Sequence, residues 1–410
     1  MKTLFGIIIG LAIFSASSRV VMAEGTTWWQ FQAIDTMKYS RDLAEQTLDN
    51  PAAFSDKISF QVKAIAETGA THVSIATPYD PEYLPVLRMW VAAARKNNLN
   101  VWFRGNFAGW EGWFEYDRID EDDHKEMLEE FLNTNTDLFE EGDIFSSCPE
   151  CENGGPGDPR MTRKIDEYRA FLIDEYTISK TAFFRMGKNV TPNLHSMNAD
   201  VAKLIMDENT TRSVGGYVVI DHYVKDPSML VDDVRIISAQ SKGKIIFGEM
   251  GAPIPDIHGA MTEQEQARWI DQALSALSLE KAVVGINYWV GTGGSTQIWN
   301  DGGSPRAAVD VIRRYYKPAA AKGIVYGRDN TPLAEVTVKT PWRMTMTDKD
   351  GAFVLPLAAG DSEISVFAVG YHSQNLAVSS LGISDMDIRL EKEEYSIFDR
   401  IKLFFLRIFG

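Results

Sequence analysis

Positive charge, histidine and cysteine are all scarce in this chain, and each scarcity excludes something. Lys and Arg number 41 against 57 Asp and Glu, a formal net charge of −16 over 410 residues. So acidic a protein lacks the positive field that phosphate binding needs, and a nucleic-acid partner is excluded. The six histidines include no H-E-x-x-H pair, so neither a metal nor another cofactor is expected. No G-x-S-x-G elbow marks a serine hydrolase, and no G-x-G-x-x-G follows the first strand-like segment to cradle a dinucleotide.

The only two cysteines are Cys148 and Cys151, in "SSCPECENGG". A single pair cannot complete a four-ligand zinc site. Nor does it open a helix behind a first strand, as a thioredoxin-like redox pair does. In an exported chain the expectation is a local disulfide that staples its loop. Export is read from the N-terminus: Lys2, the apolar run "LFGIIIGLAIF" (4–14), small residues, then "VVMA" before Glu24. That order is a secretory signal, 1–23, with cleavage after Ala23. The alternative, an uncleaved anchor, has an uncharged stretch that ends at Arg19 and is short for a spanning helix. A secreted or cell-surface protein is expected.

What the chain does have is alternation. From 26 to 317, short apolar strands such as "WWQFQAI", "THVSIA", "LNVWF", "YVVID" and "VVGINYWV" are interleaved with amphipathic helices. A fifth strand is read in "NVTPNLHSMN" (189–198). Eight strand–helix units in this length predict an α/β fold, a (β/α)8 barrel, whose reactive groups come from the C-terminal ends of the strands. Polar residues recur there: Arg104 and Asn106, Glu150, Asn193 and His195, Asp221, His222 and Tyr223, Glu249, Asn287 and Trp289. In "KIIFGEMGAP" (244–253) a strand apolar on both faces runs into Glu249 between Gly248 and Gly251. A carboxylate at such a tip is costly unless it faces a wet or reactive cavity.

Beyond "PAAAKG" (318–323), read as a linker, the pattern changes to period-two alternation with turn signals such as Asp350–Gly351. It predicts a small all-β sandwich over 323–391. Through "TPLAEVTV", "TDKDGAF" and "VGY" this part resembles the carboxypeptidase regulatory-like family, which implies a non-catalytic accessory module. The final 395–410 segment places Asp399, Arg400, Lys402 and Arg407 on one side of a helical wheel. Ile401, Phe404, Phe405 and Ile408 fall on the other. It suits peripheral membrane contact or docking on the protein's own surface.

Two carboxylates at the ends of strands four and seven are what glycosidic cleavage needs. One, neutral, protonates the leaving oxygen; the other, ionised, attacks the anomeric carbon. Glu150, with Glu152 as an alternative, and Glu249 hold those places. Here the region 26–317 resembles the (β/α)8 glycoside hydrolases of clan A, family 5-like, with the acid/base after strand four and the nucleophile after strand seven. "FGEMG" matches the nucleophile strand, which implies Glu249 as nucleophile. "NYWV" is similar to the eighth strand, implying that Trp289 floors the sugar site. "DHYV" looks like the sixth-strand segment, implying that Tyr223 bonds the nucleophile and His222 the substrate.

The chain departs from that pattern at Pro149–Glu150, where the clan has Asn-Glu, so a sugar hydroxyl contact is expected from Asn193 or Asn106 instead. Arg104 follows strand three rather than strand two. "NFAGWEGWFEYDR" (106–118) sets Trp110, Trp113, Phe114 and Tyr116 on the active face, as flat surfaces for sugar rings. Trp28, Trp29 and Trp299 are candidates to extend that platform. His195 reads as a hydrogen-bonded wall residue or a substrate contact. The expectation is an exported retaining glycoside hydrolase of β-linked poly- or oligosaccharide. The rival is an inactive barrel that binds glycan or holds the cell envelope.

Overall fold

Eight parallel strands close into a ring in the computed structural model, which describes residues 27–155, 157–358, 360–379 and 383–393. The expected signal (1–23) and the 395–410 tail lie outside those residues. The strands are β1 (Phe31–Asp35), β2 (His72–Ile75), β3 (Asn100–Phe103), β4 (Ile144–Phe145), β5 (Ser196–Asn198), β6 (Tyr217–Asp221), β7 (Lys244–Met250) and β8 (Val283–Tyr288). Their order is β4-β3-β2-β1-β8-β7-β6-β5. The gap between β4 and β5 is bridged by Ile144 pairing with Thr191 and by Leu194 N–H donating to Phe145 O at 2.8 Å.

Strand five is shorter than the 189–198 stretch predicted for it. Pro192 has no N–H to give a ladder, and Asn193 adopts φ 33°, so the pairing breaks there and resumes at Ser196.

The principal helices each follow a strand: α1 (Pro51–Glu67), α2 (Leu84–Lys96), α3 (Glu121–Thr134), α4 (Ile165–Met186), α5 (Ala199–Ile205), α6 (Ser228–Ser241), α7 (Glu263–Ser278) and α8 (Ala307–Tyr316). Their starts are written locally. Asp120 accepts from the N–H groups of Asp122 and Asp123 at the head of α3. Thr262 and Glu265 form a reciprocal capping box on α7.

Strand side chains alternate between two apolar layers. Phe31, Ala33, Trp102, Ile144, Leu194, Val219 and Ile246 fill the barrel interior. Ile34, Val73, Phe103, Phe145, Phe247 and Ile286 pack outward against the helices. The inward positions one step further along the strands are polar, and they form the floor of the site.

The C-terminal part has its own apolar core, including Val325, Val338, Phe353, Ile364 and Val366. This core is shared by two sheets, numbered on from the barrel. One holds β9 (Ala320–Tyr326), β12 (Ala352–Pro356) and β15 (Ile383–Arg389); the other holds β10 (Thr337–Lys339), β11 (Met344–Met346), β13 (Glu363–Phe367) and β14 (Gln374–Ala377). The stretch read as a linker is partly strand. β9 begins at Ala320, inside "PAAAKG", because Ala321 is fully buried in this core and the small side chains let β9 pair with both β12 and β15.

Candidate active site

Glu249 reaches the barrel mouth because β7 carries one extra residue. β6 and β7 pair in step up to Ile220 and Phe247, after which Asp221 faces Glu249, leaving Gly248 unmatched. Ile246 points inward and Phe247 outward. Simple alternation would therefore send residue 249 outward into the helix layer; the bulge turns Glu249 inward and Met250 outward. Glycine is required at the bulge, since a Cβ on Gly248 would lie 2.4 Å from Asp221 Oδ1. On Gly251 it would lie 2.4 Å from Trp289 O. The two glycines that bracket the carboxylate are thus there for close approach.

Both oxygens of Glu249 have partners. Arg104 Nη2 donates to Oε1 at 3.1 Å, and the Tyr223 hydroxyl donates to Oε2 at 2.6 Å. Arg104 is itself 2% exposed and also faces Asp221 at 3.3 Å and Asp35 at 3.6 Å. It donates to Gly248 O as well, which further accepts from Asn287 Nδ2 at 2.7 Å.

One guanidinium among three carboxyls leaves an excess of negative charge in a dry place. Burial raises the pKa of Asp35 to about 7 and that of Asp221 well above the carboxylate range, with Arg104 opposing in each case. Burial works against charge on Arg104, but Asp221, Glu249 and Asp35 together raise its pKa. Burial, then the charge of Glu249, raises that of Tyr223, keeping its hydroxyl a donor.

Glu150 lies five residues beyond β4 in a left-handed conformation, φ 49° and ψ 55°. Its N–H donates to Ser196 O at 2.9 Å, and Asn153 Nδ2 donates to its Oε2 at 3.1 Å. Burial, then the charges of Glu249 and Glu152, pushes its pKa up to about 8, against Arg104.

Glu152, the alternative acid, is 2% exposed and fully engaged. It accepts from Asn198 N at 2.8 Å, Asn198 Nδ2 at 3.1 Å and the Tyr168 hydroxyl at 3.2 Å. These contacts make it an anchor of the loop, with no oxygen turned to a ligand. Cys148 and Cys151 are joined as a disulfide.

The aromatic and polar candidates separate into two groups. Trp289, half-buried, stands 6.1 Å from Tyr223 edge to face and donates Nε1 to Met37 Sδ at 3.1 Å. Trp113, also half-buried, lies under the Arg41 guanidinium at 5.2 Å. Both are placed at the rim.

Trp110 corrects the expectation. It is fully buried, stacked on Phe171 at 5.4 Å and against His124 at 4.1 Å, so it is core rather than platform. Trp28, Trp29 and Trp299 are buried too. Trp28 lies before β1, at the opposite end of the barrel, where Arg343 of the β-sandwich covers its ring at 4.7 Å.

Four polar candidates are likewise drawn into structure. Asn106 Oδ1 accepts from Phe107 N and faces His124 Nε2 at 3.1 Å. Asn193 Oδ1 accepts from Ser147 N and Oγ. His195 Nε2 bonds Leu172 O at 3.1 Å, and burial lowers its pKa to about 4. His222 turns away from the mouth to Asp233, at 2.7 Å.

Two acids at the site escaped the sequence argument. Asp35 ends β1 on the same parity as Phe31 and Ala33, a signal that was legible. Glu111 sits within the aromatic loop, and burial raises its pKa to about 7 beside Arg41 and Glu152; nothing in the sequence distinguished it from its charged neighbours.

Fold and site together define a (β/α)8 barrel with a carboxyl-rich mouth at the C-terminal ends of its strands. Solved structures of similar fold include GH5_18 proteins. One is a GH5_18 protein from Bifidobacterium longum subsp. longum in complex with Manb1-4GlcNAc, with TM-score 0.52, 13% identity, and coverage of 74% of this chain and 84% of that one. Another is a GH5_18 protein from Streptomyces cattleya with the same ligand, with TM-score 0.51, 14% identity, and coverage of 72% and 84%. At such identities the fold is what is shared. No protein-family model matches the sequence, and no curated protein matches it either.

Proposed function

We propose that the protein is an exported glycoside hydrolase that cleaves β-linked poly- or oligosaccharide by a retaining double displacement. The observation that carries this reading is the unlike pair of glutamates at one mouth. Glu249 takes donors from Arg104 and Tyr223 on its two oxygens, while Glu150, raised to about 8, keeps a proton at neutral pH.

In the first step Glu249 attacks the anomeric carbon as Glu150 protonates the departing glycosidic oxygen. In the second, the Glu150 carboxylate takes a proton from water, which displaces Glu249 from the sugar. Trp289 and Trp113 offer ring faces to sugars from two sides. The β-sandwich serves as an accessory module of the carboxypeptidase regulatory-like kind, and the 395–410 tail holds the protein at a lipid surface. Liposome flotation with and without that tail tests the last point.

The test of the activity is a deoxyfluoro β-glycoside series with mass spectrometry of the peptides, together with a polysaccharide panel scored for new reducing ends. Covalent label on Glu249, and loss of turnover with retained binding in Glu249→Gln, is the expected result. Pro149 in place of the clan's asparagine favours one other reading, an inactive glycan-binding barrel. Absence of both label and reducing ends, with glycan binding intact, would select it.

A further inference from the structure

The Cys148–Cys151 disulfide encloses Glu150 within its own short ring. We propose that this disulfide is a positioning device, holding the Glu150 carboxyl over the barrel mouth. The inference rests on Glu150 being the acid/base.

Three observations support it. First, Glu150 is left-handed, at φ 49°, a conformation that costs a non-glycine residue ~1–2 kcal/mol and persists only where the surroundings impose it. Second, both cysteines are fully buried, so the ring is locked into the barrel wall. Third, the loop is independently pinned on either side. Asn193 accepts from Ser147 N at 2.8 Å, while Asn198 and Tyr168 grip Glu152. Between those anchors the backbone of Glu150 makes two contacts: its N–H donates to Ser196 O at 2.9 Å, and its carbonyl accepts from Asn153 N at 2.9 Å within the same loop. The anchors fix where the loop begins and ends; the ring decides which way residue 150 faces between them. Opening it should leave the loop attached and the fold intact, while Glu150 can relax out of the left-handed region and turn to water.

The groups whose charge bears on this carboxyl are Glu249, Glu152, Glu111 and Arg104. They come from β7, from the same loop, from the loop after β3 and from the end of β3.

The experiment compares full-length wild type with Cys148→Ser/Cys151→Ser by two readouts. In carboxyl-labelled NMR, with Glu150→Gln for assignment, the wild-type resonance should titrate near 8 and that of the double variant near an ordinary glutamate. In hydrolysis of aryl β-glycosides, the double variant should lose ~10²–10⁴-fold on phenyl glycosides, whose departure needs a proton, and little on dinitrophenyl glycosides. Should the variant not fold, wild type reduced by a trialkylphosphine replaces it (disulfide, phosphine and water give two thiols and the phosphine oxide). An unchanged Glu150 titration, or equal loss on both glycosides, would overturn the proposal. If wild type hydrolyses no glycoside, the hydrolase reading falls and the titration alone decides the clamp.

Discussion

Replacing Glu150 by glutamine separates its two consequences, one for rate and one for stability. An acid with a pKa of about 8 is about nine-tenths protonated at pH 7 and about one-tenth at pH 9. If it delivers the proton to the leaving group, kcat/KM of wild type falls ~tenfold between those values and tenfold per unit beyond. Glu150→Gln should lower kcat/KM on phenyl glycosides by ~10²–10⁴-fold and flatten this basic limb.

The stability sign follows from the same shift. A carboxyl raised from 4.5 to about 8 in the folded chain is held protonated there over a window in which the unfolded chain has already ionised. Stability is therefore fully present below about pH 4.5 and is lost as pH rises toward 8. The full shift corresponds to at most ~5 kcal/mol, less what water at the mouth screens. The glutamine variant has no such slope and should unfold at higher urea than wild type above pH 8. A wild-type basic limb that survives in Glu150→Gln, or parallel urea midpoints of the two proteins across pH 5–9, would refute the assignment.

Removing the central cation should be the most damaging single change to stability. Arg104→Met leaves Asp35, Asp221 and Glu249 facing one another and should cost ~3–5 kcal/mol in urea unfolding at pH 7. The loss shrinks as pH falls and Asp35, with its pKa of about 7, protonates. Tyr223→Phe removes the 2.6 Å bond to Glu249 Oε2 and should reduce kcat ~10–100-fold with KM nearly unchanged, as measured on aryl glycosides. Thr262→Ala deletes the capping box of α7 and should lower the free energy of unfolding in urea by ~1 kcal/mol with no effect on kcat/KM.

How far the sequence could be read depended on the kind of signal each residue carried. The barrel was legible because its strand and helix periods differ and repeat eight times, and burial of the apolar positions enforces both. Glu249 stood out for a similar reason: a charge ending an apolar strand between glycines is a costly placement that composition alone would not supply, whereas Glu150 was singled out only by its place after the fourth strand. The fate of the aromatics was not. Trp110 and Trp113 stand three residues apart in one loop, yet one is stacked on Phe171 of α4 and the other lies at the rim. That difference is made by a helix some sixty residues further along the chain. His222 shows the same limit, turned by Asp233, a partner that no local pattern announces, whereas His195 is the hydrogen-bonded wall residue its sequence setting suggested, held to Leu172 O.

The sequence by itself therefore determined the alternation of elements, the ring of polar strand ends and the local disulfide, because each follows from short-range spacing. Tertiary structure decided which of those polar groups meet. The unmatched Gly248 reverses the side on which Glu249 emerges, and closing the ring brings Arg104 from β3 between Asp35, Asp221 and Glu249. The physical reason is that a carboxyl's chemistry is set by the dielectric and the charges around it. In this protein those come from strands far apart in the chain and adjacent only once the barrel is closed.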